Sequence, residues 1–120
     1  MNTESRFPVP ESRLFEPVAT LADLPPGTLL PVRTADGTPI CLVNDRGAVC
    51  AVHDVCTHAE FAMHEGALQE DGTIECAWHG ARFDCRTGAV RKPPAFDPLP
   101  VYEVRVDGET ILVGPRKDAS

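Results

Sequence analysis

A chain of 120 residues is long enough for one domain with a modest hydrophobic core. Eighteen acidic side chains against eleven basic ones give a formal net charge of −7. Such a protein would repel phosphate backbones, so the composition disfavours nucleic-acid binding. No apolar run approaches the length of a membrane span, and the first residues lack the apolar core of a signal peptide. We therefore expect a soluble, cytoplasmic protein.

The chain reads as a series of short strands separated by turns. Residues 1–13 contain two prolines and show no hydrophobic periodicity, which predicts a loose N-terminal arm. The predicted strands are Leu14–Thr20, Leu29–Arg33, Ile40–Val43, Ala48–His53, Thr73–Cys76, Ala81–Cys85, Val101–Val106 and Thr110–Val113. Hairpin turns are predicted at Asn44–Gly47, Asp71-Gly72 and Asp107-Gly108. The pattern indicates an all-β protein, an antiparallel barrel or sandwich, without selecting one small β fold among several.

Two mixed pairs of metal-binding side chains lie between positions 56 and 79. Cys56 and His58 are separated by one residue, Cys76 and His79 by two, and seventeen residues lie between the pairs. Each pair offers one thiolate and one imidazole, so each of two loops could supply one ligand to each metal of a binuclear centre. A two-iron, two-sulfur cluster with two cysteines on one iron and two histidines on the other requires this set.

Zinc is the competing interpretation, because two cysteines and two histidines can close a tetrahedral structural site. Zinc modules usually pair like ligands with like, whereas each pair here is mixed. His53 and His64 are two further imidazoles in the same stretch. We expect His53 to end a strand and His64 to lie in the loop between the pairs, so neither is a predicted ligand.

With this motif the chain resembles the Rieske family from about residue 14 to residue 114. The resemblance rests further on Gly80, Phe83-Asp84, Thr87-Gly88 and the run Pro93-Pro94-Ala95. It implies a Rieske domain over 14–115 with a cluster-binding subdomain near 54–92. The last residues, 116–120, are expected to form a disordered tail. The resemblance also implies one Rieske-type [2Fe-2S] cluster, with the ligands Cys56, His58, Cys76 and His79.

In size the chain is similar to the small Rieske ferredoxins that serve aromatic-ring-hydroxylating dioxygenases. That likeness implies a monomeric electron carrier without turnover of its own, between a flavin-containing ferredoxin reductase and a terminal oxygenase. The net charge and the lack of a long apolar run lead us to expect no nucleic-acid partner and no membrane association. Two other functions stay open: a small Rieske-like subunit of another redox enzyme, such as assimilatory nitrite reductase, and a zinc-stapled binding module.

Departures from the high-potential Rieske branch bear on the expected potential. Phe61 and Trp78 stand where that branch carries two disulfide-bonded cysteines, and Ala81 and Phe83 stand where it carries a serine and a tyrosine hydroxyl. Fewer donors toward the cluster sulfurs leave the reduced, more negative state less stabilised. The resemblance therefore predicts a potential near the low end of the Rieske range, about −150 mV. It also places Pro93-Pro94 over the cluster, although an ordinary rigid turn is the alternative.

Three cysteines remain beyond the predicted ligands: Cys41, Cys50 and Cys85. In a reducing compartment we expect them to be small buried apolar side chains or partly exposed thiols. Cys41 and Cys50 flank the turn at Asn44–Gly47 and could face each other, so a disulfide between them is an alternative. Cys85 lies in a predicted strand and is expected in the core.

Overall fold

The computed structural model describes residues 14–56, 62–77, 80–92 and 97–117. In these segments ten strands form two antiparallel sheets, which confirms the all-β prediction. The strands are β1 (Glu16–Thr20), β2 (Leu29–Arg33), β3 (Pro39–Asp45), β4 (Ala48–His53), β5 (Ala67–Leu68), β6 (Thr73–Glu75), β7 (Arg82–Asp84), β8 (Val90–Lys92), β9 (Val101–Asp107) and β10 (Thr110–Arg116). Two one-turn 3-10 helices are Leu21–Asp23 and Met63–Glu65. The described segments contain no helix long and apolar enough to cross a membrane.

The larger sheet, here called the base sheet, has the strand order β1-β10-β9-β4-β3-β2. Its two edge strands approach each other, because the N–H of Ala35, just after β2, donates to the Glu16 carboxylate of β1 at 3.0 Å. The sheet is therefore nearly closed on itself, as a barrel requires.

A tight hairpin joins β3 to β4. Arg46 and Gly47 have φ values of 54° and 99°, the left-handed pair that a two-residue turn needs to match the twist of its strands. The Asn44 side-chain oxygen accepts the N–H of Gly47 at 2.7 Å and holds the turn. The hairpin predicted at Asn44–Gly47 is confirmed.

The apolar run of β3 is buried on both faces of the base sheet. Because successive side chains of a strand point to opposite faces, Ile40 and Leu42 pack into one core together with Ile111. Cys41 and Val43 pack into a second core on the other face. The first core is enclosed by base-sheet strands, and the second is shared with the smaller sheet.

The smaller sheet, here called the cap sheet, has the order β5-β6-β7-β8. Its strands are only two or three residues long. Ile74 and Phe83 are fully buried and pack in the second core with Val43 and Val52 of the base sheet. The cap sheet therefore has few backbone pairs of its own and depends on packing against β3 and β4.

The chain end differs from the prediction of a disordered tail at 116–120. Strand β10 continues to Arg116, and the N–H of Lys117 donates to the carbonyl of Val101 at 2.9 Å. Pairing with β9 is resumed after a register shift between Val113 and Arg116, which accommodates Pro115 within the strand. The prediction is wrong for residues 116 and 117, whereas 118–120 and the predicted arm at 1–13 lie outside the described residues.

Candidate metal centre

The first predicted ligand loop is closed at its stem by Asp54. One carboxylate oxygen of Asp54 accepts the backbone N–H of His64 at 2.8 Å, and the other lies 2.6 Å from Nδ1 of the same histidine. The Asp54 carbonyl accepts the N–H of Met63 at 2.6 Å. These three bonds join the two ends of the loop that carries Cys56 and His58.

The second predicted ligand loop is the connection between β6 and β7. The N–H of Cys76 donates to the carbonyl of Ala81 at 2.7 Å, which closes the loop directly around its cysteine. Gly80 has a φ of 74°, a conformation that favours glycine, so the chain can turn back into β7 there. In the sequence, His79 lies between Cys76 and Gly80.

Both predicted cysteine ligands are buried in one apolar cluster. Cys56 is 3% exposed and Cys76 is 1% exposed, and both belong to the core shared by the two sheets. Two thiolates from different loops, shielded together from water and oxidants, fit the cysteine half of a [2Fe-2S] donor set. His58 and His79 lie outside the described residues, so the complete ligand set stays a prediction.

Two apolar side chains pack in this same cluster at positions that bear on the predicted potential. Ala81 and Phe83 are fully buried together with Cys56 and Cys76. Neither side chain carries a hydrogen-bond donor, as the sequence already showed. The remaining positions compared with the Rieske family, Phe61, Trp78 and Pro93-Pro94-Ala95, lie outside the described residues.

The Phe83-Asp84 and Thr87-Gly88 motif spans the end of β7 and the turn that follows it. The Asp84 carboxylate accepts the N–H groups of Arg86 at 2.8 Å and Thr87 at 3.1 Å. Burial opposes ionisation of Asp84, but these N–H donors and the Arg91 guanidinium outweigh it and lower its pKa. The N–H of Leu99 donates to the carbonyl of Gly88 at 2.8 Å, so this turn also anchors the approach to β9.

The two other histidines occupy the places predicted for them. His53 ends β4, and His64 lies in the 3-10 helix between the ligand pairs. Burial lowers the pKa of His53, and its Nδ1 is buried without a hydrogen-bond partner among the described residues. The contact of His64 with Asp54 was not predicted. The only signal in the sequence was an acidic residue directly after an apolar strand.

The alternative of a Cys41–Cys50 disulfide is wrong. The β3–β4 register places Cys41 opposite Val52 and Cys50 opposite Val43. The Cys50 sulfur instead lies 2.7 Å from the sulfur of Cys85. All five cysteines fall within the described residues, where every one is buried and none is in a disulfide. Cys41 is a buried thiol whose pKa is raised by burial, as expected for a small core side chain.

Comparisons with known proteins agree with the fold. Residues 15–103 match the Rieske [2Fe-2S] domain. The chain is 35% identical over 99 residues to the biphenyl dioxygenase ferredoxin subunit of Pseudomonas sp. (strain KKS102). The aligned region covers 82% of this chain and 90% of that protein.

Solved structures give the same result. The ferredoxin of carbazole 1,9a-dioxygenase from Nocardioides aromaticivorans IC177 is 39% identical with a TM-score of 0.77, covering 84% of this chain and 97% of that one. A chain in the complex of reduced oxygenase and oxidized ferredoxin in carbazole 1,9a-dioxygenase is 30% identical with a TM-score of 0.81, covering 89% of this chain and 98% of that one.

These matches decide between the two metals that the sequence left open. The family match and the similar ferredoxins support an iron–sulfur centre, so the zinc alternative is wrong. The chain therefore belongs to the Rieske [2Fe-2S] domain family, as an electron carrier whose cofactor is a Rieske-type [2Fe-2S] cluster.

Proposed function

We propose that Cys56, His58, Cys76 and His79 hold the cluster, with the cysteines on one iron and the histidines on the other. The observation that carries this ligand set is the burial of Cys56 and Cys76 in one apolar cluster, although they come from different loops. Each cysteine lies at the stem of a loop that brings a histidine two or three positions further along the chain. When bound, such a cluster supplies reversible one-electron transfer.

The carrier takes single electrons from a flavin-containing ferredoxin reductase and delivers them to the terminal oxygenase of a multicomponent aromatic-ring-hydroxylating dioxygenase. Support comes from the similar proteins, which are ferredoxins of biphenyl and carbazole dioxygenases, and from the structure of a carbazole dioxygenase ferredoxin with its oxygenase. The net charge of −7 favours docking on basic partner faces, with association that weakens as salt rises.

The midpoint potential lies near the low end of the Rieske range, about −150 mV. Ala81 and Phe83 support this value because both are buried beside the two proposed cysteine ligands and neither can donate a hydrogen bond. Without such donors, the extra negative charge of the reduced state is less stabilised.

An EPR spectrum of the dithionite-reduced protein, followed by a redox titration, tests the cofactor and its potential. We expect a rhombic signal with an average g value below that of all-cysteine clusters. The variants Cys56→Ala, Cys76→Ala, His58→Ala and His79→Ala should lose this signal. Cys41→Ala and His53→Gln are matched controls that should keep it, because neither residue is a proposed ligand and neither side chain closes a ligand loop. A retained signal in His58→Ala or His79→Ala would refute the ligand set.

Anaerobic mixing with NADH, a dioxygenase ferredoxin reductase and a terminal oxygenase tests the partners. The visible bands should bleach with NADH and reductase and should recover when oxidised oxygenase is added, at rates that fall with salt. Absence of transfer to any dioxygenase component, with the cluster intact, would contradict the proposed role. The monomeric state and the cytoplasmic location stay predictions, to be tested by light scattering and cell fractionation.

A further inference from the structure

Cys50 and Cys85 form a thiol pair that the proposed cluster site does not use. Cys50 lies in β4 of the base sheet, and Cys85 follows β7 of the cap sheet. Their sulfur atoms are 2.7 Å apart, and the two residues are 35 positions apart in the sequence. A disulfide bond requires about 2.05 Å. The two sulfurs therefore need to approach by less than about 1 Å to become bonded, across the boundary between the two sheets.

A cavity reaches this pair from the surface. It has a volume of about 190 Å³, and its lining includes Cys50, Cys85, Arg86 and Lys117. Both residues are buried, and Cys50 at 6% exposed is less deeply buried than Cys85 at 1%. Arg86 and Lys117 line the same cavity together with Glu103, and cationic side chains near a partly accessible thiol favour its reactive thiolate form.

The two thiols differ in their readiness to ionise. The hydrogen bond between the two thiols lowers the pKa of Cys50, and the charges of Arg86 and Lys117 act in the same direction against burial and Asp45. The same contact, together with burial, raises the pKa of Cys85. Cys50 is thus suited to attack first, and Cys85 to act second as the resolving thiol.

We propose that Cys50 and Cys85 are a reversible thiol–disulfide site, oxidised by low-molecular-weight disulfides that enter the cavity, and that the resulting bond ties the cap sheet to the base sheet. In the first step the Cys50 thiolate attacks the small disulfide, forms a mixed disulfide and releases one small thiol. Cys85, after losing its proton, attacks the Cys50 sulfur and releases the second small thiol. Two protein thiols lose two electrons and two protons, and one small disulfide becomes two thiols.

The bond would act on the part of the chain that binds the cluster. Residues 50 and 85 bracket both ligand loops in the sequence, so the disulfide closes a chain segment that contains all four proposed ligands. Closing a segment of this length stabilises the folded state mainly by restricting the unfolded one. This consequence rests on the proposed ligand set, whereas the formation of the bond does not.

The test uses holo-protein incubated anaerobically with 2-hydroxyethyl disulfide, then alkylated and analysed by intact mass and non-reducing peptide mapping. We expect a loss of two hydrogens, one cross-linked peptide pair containing Cys50 and Cys85, and reversal by dithiothreitol. Cys50→Ala and Cys85→Ala should abolish the cross-link. The matched control Cys41→Ala also removes a buried thiol of the base sheet but should keep it. The oxidised form should melt on the order of 10 °C above the reduced form.

Three results would overturn the proposal. In the first, both thiols remain alkylatable after oxidation. In the second, a stable mixed disulfide stays on Cys50 with Cys85 alkylated. In the third, the cross-link joins Cys56 to Cys76. Peptide mapping detects the Cys50–Cys85 bond whether or not a cluster is bound. If the proposed ligand set were wrong, the mapping would still show whether this bond forms.

Discussion

The base sheet and the cap sheet are held together in different ways. Strands β3, β9 and β10 of the base sheet are seven residues long and enclose a core of their own, whereas cap strands have two or three residues and pack into a core shared with β3 and β4. A long strand is fixed by many backbone pairs, but a short one needs tertiary contacts. The comparison shows that the region of the proposed cluster site is the one least able to hold its shape alone.

The turn after β7 contacts the end of β3 and the segment before β9, once through an ion pair and once through close backbone packing. The Asp45 carboxylate, at the end of β3, lies 3.5 Å from the Arg86 guanidinium in the turn after β7. In the same turn, a Cβ added to Gly88 would overlap the carbonyl of Leu99. These two contacts hold the turn after β7, and with it the cap sheet, against the base sheet.

Removing a proposed ligand should produce the largest difference between the two sheets. We expect Cys76→Ala to prevent cluster binding and to raise hydrogen exchange in β6 and β7 on the order of 100-fold or more, because metal binding and folding are coupled in such sites. Amides of β3, β9 and β10 should keep their protection. Cys41→Ala is the matched control, and hydrogen exchange followed by mass spectrometry is the measurement. Equal loss of protection in both sheets would show that they unfold as one unit.

Two glycine substitutions at similar backbone conformations test the turn after β7 against the turn between β3 and β4. Gly88 and Gly47 have φ values of 77° and 99°, but a Cβ at Gly47 would meet nothing within 4 Å. Gly47→Ala should therefore lower the free energy of unfolding by about 1 kcal/mol through strain alone. Gly88→Ala should lower it by about 3 kcal/mol, because the Leu99 backbone must also move. Urea denaturation measures both, and equal effects would argue against a tight joint at Gly88.

A hydroxyl added to the shared core by Phe83→Tyr should change the midpoint potential of the cluster while the fold is kept. We expect Phe83→Tyr to raise the midpoint potential by about 20 to 60 mV, the equivalent of one hydrogen bond of about 0.5–1.5 kcal/mol to the reduced cluster. Voltammetry at constant pH measures the shift. Tyr102→Phe, which removes a hydroxyl from the base sheet, is the control and should leave the potential unchanged. An unchanged potential in Phe83→Tyr would contradict the assignment of Phe83 to the cluster surroundings.

The smallest expected effect is a pH dependence that originates in the base sheet. Burial lowers the pKa of His53 below its ordinary value of about 6.5, so the unfolded chain binds the proton first as the pH falls through that value. The contribution of His53 to stability is therefore present at neutral pH and is lost below about pH 6.5. Urea midpoints of the wild type and His53→Gln, compared at pH 7.5 and pH 5.5, should converge on acidification. If the two urea midpoints differed by the same amount at both pH values, the predicted loss of His53's contribution at low pH would be wrong.

Local signals predicted the base sheet well. β2 and β4 have the predicted boundaries, and the turn at Arg46-Gly47 follows from residues that tolerate positive φ. β5 and β8 were not predicted, because two or three residues are too few to show an alternating pattern. The extension of β10 to Arg116 was also missed, since pairing with β9 outweighs the effect of a proline near the chain end.

The all-β class, the family and the spacing of the four proposed ligands could be predicted without a structure, because strand periodicity and ligand spacing are patterns of neighbouring residues. The contacts between distant groups, in contrast, could be identified only in the folded chain. The burial of Cys56 with Cys76, the contact of Cys50 with Cys85 and the Asp54 closure of the first loop all join segments far apart in the chain. Such contacts depend on how the two sheets pack, and packing leaves no periodic signal in a single sequence.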